Sequence, residues 1–285
     1  MATPGLSLVG FMDQQQAMAH LRTACVPADP SDVAILAEWN AARARLGAPV
    51  ANAGIPDIQP IPPTHDPHVQ QVLTAPWSAP AFQTTLAGVT FQLVELDPLL
   101  AYQFTIDDDR SNYHCTNLNK PPSLDTLLAL CLPTNPEIVN FQVLQHSNTQ
   151  QNQSMLLKTK NLNLRSLAAG IFNAQFMGLQ FAVSLPFLHV VCYNNRYYLH
   201  NGFHRALGIR RAGATYAPAV VRIVTDSDSA GIRRDGSTFD LNLLESNNPP
   251  TVGHFTNGRA HPVSLRGTTR VLHVSWAEYV LPDEN

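Results

Sequence analysis

No run of this chain approaches the ~18 consecutive apolar residues that a membrane-spanning helix requires. The opening "MATPGLSLVGFMDQQQ" lacks the basic n-region and longer apolar core of a secretory signal. Both shortages predict a cytoplasmic protein without a membrane partner. Cysteine is scarce and unpaired: Cys25, Cys115, Cys131 and Cys192 form no CxxC element, which excludes a convincing zinc knuckle or disulfide framework and predicts buried thiols. Internal repeats and low-complexity tracts are absent as well. A net charge of -3 argues against gripping nucleic acid by bulk electrostatics. Lysine is missing from residues 196–285, where 10 arginines face 8 acids, against 8 basic and 13 acidic residues before them. Arg205, Arg210, Arg211 and Arg222 therefore concentrate what positive potential there is.

What is present is an ordinary globular composition. With 285 residues and 45% hydrophobic side chains, the chain suffices for one large domain or one with a small appendage. Residues 1–46 predict a helical extension. Asp13 caps a first helix with Met18 and Leu21 on one face, and Ser31 caps a second in which Val33, Leu36, Trp39 and Leu46 share a face before Gly47 stops it. Residues 47–81 hold 8 of the 22 prolines and predict an extended connector, with one helical turn near "DPHVQQVL". His65 and His68 lie in that connector, but with no third acid or thiol nearby they define no coordination shell, and no metal ligand is assigned.

Residues 82–225 predict a mixed α/β core. "GVTFQLVELDPLL" reads as a strand entering a turn at Pro98, with Asp97 as its cap. "SLDTLLALCL" is a short helix capped by Ser123, "EIVNFQVLQ" alternates like a strand, and "SLAAGIFNAQFMG" has helical composition. The Gln- and Asn-rich tract between them fits either an exposed loop or an irregular strand pair. Next, "HVVCY" and "RYYLH" make a hairpin about Asn194-Asn195, followed by the Gly202 turn, a helix stopping at Gly213, and the strand "YAPAVVRIV". Residues 226–285 predict an addition packing on this core, whose strand "TRVLHVSWAEYVLP" joins the edge of the same sheet under Trp276 and Tyr279.

The stretch "NGFHR" draws attention because a helix N-terminus with free amides, a glycine permitting close approach and an adjacent arginine suits an anion. Asn201, Gly202, Phe203, His204 and Arg205 form the candidate phosphate site, the amides of Phe203 and His204 donating and Arg205 adding a planar fork. His204 is the candidate acid or base. Catalysis also needs a carboxylate; Glu95, Asp97 and the "TIDDDR" triplet of Asp107, Asp108 and Asp109 are the choices, with Asp107 named beside His204 as a candidate catalytic residue and a solvated turn as the plainer account of the triplet.

The order strand, glycine turn, helix, strand, with Gly202, His204, Arg205, Ala206, Gly213, Pro218 and the strand from Ala219 to Val224, resembles the ParB/sulfiredoxin-like superfamily. The upstream "VELDPLLAYQ" is similar to that family's opening strand. The resemblance covers roughly residues 88–225 and implies a mixed α/β domain whose glycine turn contacts nucleotide phosphates, or in some relatives a nucleic-acid backbone. Two departures are visible: no Glu-Asn-x-x-Arg element lies between 110 and 195, and Phe203 occupies the position of the reductases' reactive cysteine. Clamp and sulfinic acid reductase activities thereby lose support.

Three expectations follow. The first is a nucleotide or other phosphorylated ligand bound at the turn, with a nucleoside triphosphate and Mg2+ as cofactors and metal-dependent hydrolysis or phosphoryl transfer as the enzymatic extension. The second is a non-catalytic module in which the N-terminal helices and proline-rich arm dock a protein partner or a second copy. The third, disfavoured by charge and by the lack of a helix-turn-helix, is a DNA-binding protein or nuclease.

Overall fold

The computed structural model describes residues 2–74, 88–116, 118–134, 142–148, 152–159, 164–173, 176–183, 187–233, 236–267 and 270–277. The chain divides into two units, Met1–Asn135 with Pro186–Arg266, and Pro136–Leu185 with Gly267–Asn285. Positions 46, 81 and 225, the predicted boundaries, all lie within the first unit. The reason lies in the first strand, β1 (Ala2–Ser7), which pairs antiparallel with β12 (His261–Arg266) and with β4 (Thr105–Asp107), tying the expected N-terminal extension and C-terminal addition into one sheet.

Local helix signals in the first unit act as their chemistry dictates. Asp13 accepts the amide of Gln16 at the head of α1 (Gln14–Thr23), and Ser31 accepts that of Ala34 at the head of α2 (Asp32–Arg45). The buried stripe of α2 is Ile35, Trp39 and Ala42, rotated from the expected one so that Val33 is 80% exposed. Trp39 sets this rotation, since its indole N–H donates to the Met12 carbonyl at 3.2 Å. The proline-rich connector carries an edge strand, β2 (Ile58–Pro60), and a nine-residue helix, α3 (Asp66–Thr74), longer than the single turn expected. His65 pairs with Asp125 at 3.1 Å and His68 hydrogen-bonds the Leu132 carbonyl at 2.9 Å. Both histidines thus serve the fold locally.

The main sheet of this unit has the order β10-β9-β11-β3-β2. Its strands are β3 (Val89–Glu95), β9 (His189–Tyr193), β10 (Arg196–Asn201) and β11 (Tyr216–Ile223); β11 lies antiparallel to β3 and parallel to β9. Helix α6 (Phe203–Arg211) joins β10 to β11. It packs on α4 (Asp108–Thr116), and α5 (Leu124–Cys131), capped by Ser123, packs on β11. The α4–α6 crossing is close because Gly208 lacks a side chain: a Cβ there would stand 2.8 Å from the Ser111 carbonyl oxygen and from the His114 Cβ. Val94, Leu96, Leu99, Leu188, Val190 and Leu199 are among the residues filling the core. All four cysteines are free and buried. Short helices α7 (Leu241–Leu244) and α8 (Val252–Thr256) precede β12.

The second unit is built of hairpins. β5 (Gln142–Asn148) and β13 (Arg270–Ala277) flank β6 (Asn152–Thr159), while β7 (Leu164–Asn173) pairs with β8 (Phe176–Val183). The Gln- and Asn-rich tract is thus largely paired strand. "SLAAGIFNAQFMG" is strand as well: its helical composition yields to cross-strand pairing, with Gly170 opposite Gly178. β13 joins β6 and not the main sheet; Tyr279, expected to cover that edge, lies outside the described residues. The chain is a mixed α+β protein.

Candidate functional site

Tight backbone geometry builds the turn ahead of α6. Asn194 and Asn195 take positive φ values of 49° and 58°, making the two-residue hairpin that aligns β9 with β10. At the end of β10, Gly202 adopts φ 99°, a conformation that disfavours any side chain. A Cβ at this position would also press to 3.3 Å from the Leu188 Cα. Asn201 donates to the Phe187 carbonyl at 3.2 Å, and the buried Phe203 meets the Tyr102 ring edge-on at 6.0 Å. Glycine is therefore required here by the path of the chain itself.

Of the residues expected to carry chemistry, His204 and Asp107 do come together, but through the backbone. The Asp107 amide donates to His204 Nε2 at 3.1 Å, so that nitrogen is an acceptor and the ring is neutral, its proton on Nδ1. Burial, reinforced by the Arg110 charge, pushes the His204 pKa down to about 4. The Asp107 carboxylate accepts the Arg110 amide at 3.0 Å and the Thr3 hydroxyl at 3.4 Å. The contact of His204 with Asp107 thus links β4 to α6. Arg205 also makes a contact within the fold. Helix α6 buries Phe203 and every residue from Arg205 to Ile209, so Arg205, 8% exposed, donates to the Leu130 carbonyl at 3.1 Å and ties α6 to α5.

Carboxylates hold the two arginines at the far end of α6. Arg210 engages Asp97 through two hydrogen bonds of 2.8 and 2.7 Å, and Thr256 also donates to Asp97. Arg211 meets Asp108 at 2.6 Å and Asn112 at 2.7 Å. Asp97 is thus an arginine partner and not the expected cap, and the triplet is not a solvated turn: Asp107 closes β4, while Asp108 and Asp109 open α4.

A second group of polar side chains lies beside the same turn, and the sequence reading missed it. The rings of His189 and His200 meet edge-on at 4.9 Å. Tyr102 donates to the His200 carbonyl at 3.1 Å while its hydroxyl oxygen sits 2.8 Å from His200 Nδ1, which also faces the Ala230 carbonyl at 3.3 Å. His189 Nε2 is buried and has no hydrogen-bond partner among the described residues. Burial, then the neighbouring His200 and Arg222, pushes the His189 pKa down to about 3; burial likewise lowers that of His200, with Arg222 and Arg233 adding to it. Tyr102 touches both His200 and Phe203, joining this group to the start of α6.

Comparison with known proteins adds nothing to this picture. No family model, curated protein or solved structure matches the chain.

Hairpin arithmetic could have found the pair. With Tyr193 opposite Arg196 across a two-residue turn, counting outward sets His189 opposite His200; a bulge near the end of β10 shifts the backbone partner of His189 to Asn201 yet keeps the rings in contact. Among the described residues, no three His, Cys, Asp or Glu side chains are grouped to hold a metal ion, and no helix is long and apolar enough to cross a membrane.

Proposed function

We propose that this chain binds a nucleotide or another phosphorylated small molecule at the turn between β10 and α6, as the ParB/sulfiredoxin-like resemblance implies. The observation carrying the reading is a nine-residue helix opened by a left-handed glycine directly after a strand, with β11 returning parallel to β9. Such a helix presents backbone donors and the positive end of its dipole to an anion. Phe203 and His204 contribute amides, whereas the side chains of His204 and Arg205 support the turn from behind. The reading is therefore binding first; hydrolysis or phosphoryl transfer would rest on groups other than His204 and Asp107, with Mg2+ arriving on the nucleotide phosphates.

A thermal-shift series of nucleoside triphosphates with and without Mg2+ tests it, because a ligand specific for the folded chain raises its melting temperature by mass action. A rise that saturates with one nucleotide supports the reading, and an unchanged melting temperature at millimolar concentrations removes it. The second reading, a non-catalytic module that docks a protein partner or a second copy, draws support from the engagement of both His204 and Arg205 in the fold. Light scattering across a concentration series separates it, since self-docking raises the mass while nucleotides leave the melting temperature unchanged.

A further inference from the structure

Arg222 and Arg233 stand out because neither guanidinium forms a hydrogen bond or ion pair with a described residue, although Arg205, Arg210 and Arg211 all have protein partners. Both belong to the surroundings of the His189–His200 pair. Arg222 is on β11, two residues beyond Val220, which pairs with His189. Arg233 follows a turn that folds back on His200: Gly231, at φ 81°, passes so close that a Cβ would stand 2.8 Å from His200 Cε1 and 3.1 Å from the Tyr102 hydroxyl. That turn is fixed by its own bonds, Ile232 donating to the Ser227 carbonyl at 3.0 Å and Gly231 to that of Asp228 at 2.9 Å, and by the buried Ala230 and Ile232. The Ser229 amide, donating at 2.7 Å, and more weakly the Arg222 charge hold the Asp226 carboxyl below its usual range, although Asp226 and Arg222 form no hydrogen bond or ion pair.

We infer that Arg222, Arg233 and the unpartnered Nε2 of His189 form an oxyanion site that takes a phosphate group of the ligand bound beside α6. The inference rests on the phosphorylated-ligand reading and specifies the side chains that hold the charge. Two guanidiniums supply planar donors matched to phosphate oxygens. His189 donates through Nε2 once its proton is placed there, which gives a buried polar atom its missing partner. An anion also relieves the mutual repulsion of two arginines set near a pair of imidazoles. Tyr102 and the Ala230 carbonyl act as positioning groups, fixing the His200 ring against which His189 rests.

The test is calorimetric titration of the full chain with inorganic tripolyphosphate and with ATP, on the wild type, on Arg222→Gln/Arg233→Gln, and on Arg43→Gln/Arg45→Gln, which removes the same charge from α2. The Arg222/Arg233 variant is expected to lose at least about tenfold in affinity for both probes, the scale of losing charge-assisted hydrogen bonds. The α2 variant should stay within about threefold, the residual effect of distant, screened charge. Wild-type affinity in the Arg222/Arg233 variant overturns the site but leaves the nucleotide reading standing. Equal losses in both variants reduce the effect to bulk charge and likewise overturn it. A wild type that binds neither probe removes the site and the reading together.

Discussion

The three arginines of α6 and the two that flank the His189–His200 pair differ in one respect, and it separates architecture from availability. Arg205 spends its donors on the Leu130 carbonyl, Arg210 on Asp97, and Arg211 on Asp108 and Asn112. Arg222 and Arg233 have no such partner among the described residues. The motif that attracts the eye, "NGFHR", thus places its arginine in the core, while the unpaired charges sit after the motif on β11 and in the turn beyond it. An arginine is a ligand group only where the protein leaves its fork unused, and a short motif does not reveal that.

The largest expected effect comes from acid, acting on histidines that the fold holds neutral as it holds Arg205 occupied. His204 and His254 both have folded pKa values pushed down to about 4 by burial, below the ordinary value of 6.5. The unfolded chain takes up these protons first, so the stabilisation is complete above about pH 6.5 and drains away as the pH falls toward 4, at up to about 1.4 kcal/mol per pH unit for each histidine. Urea unfolding between pH 8 and 4.5 measures this, and a flat profile below 6.5 would contradict the buried, neutral assignment.

Arg205→Ala comes next. Losing a buried stem and leaving the Leu130 carbonyl without this donor should cost about 2–4 kcal/mol in urea unfolding. A cost below about 0.5 kcal/mol would move Arg205 into the same class as Arg222 and dissolve the contrast. Gly208→Ala should cost about 1–3 kcal/mol, because its Cβ collides with the backbone of α4; tolerance of alanine would show that α4 and α6 can separate. The smallest effect is expected for Arg222→Gln/Arg233→Gln without ligand, within about ±0.5 kcal/mol. A larger loss of melting temperature there would mean that these arginines are structural after all.

What the sequence disclosed was whatever chemistry decides locally. The caps at Asp13, Ser31 and Ser123, the Asn194-Asn195 hairpin and the glycines at 202 and 213 were all legible, since each depends on a few adjacent residues. The face of α2 was misread because Val33 and Ile35 are equally apolar, and only the distant Met12 carbonyl, by engaging Trp39, chooses between them. "SLAAGIFNAQFMG" was misread because local composition does not record a cross-strand partner. At the site, His204 and Asp107 were chosen separately as candidate catalytic residues, and nothing local to either shows that the Asp107 amide meets the imidazole. The contact of Arg205 with the Leu130 carbonyl was not legible, because a backbone acceptor leaves no trace in residue identity.

The pairing of β1 with β12 delays one step of folding during synthesis. Residues 2–7 leave the ribosome long before their partners at 261–266. Until then both edges of that strand are open, except where β4 can cover Gly5 to Ser7. Closing so long a loop is slow, although the entropic cost grows only as about (3/2)RT ln n with loop length. During synthesis residues 2–7 therefore form an incompletely paired edge, open to other strands until β12 arrives.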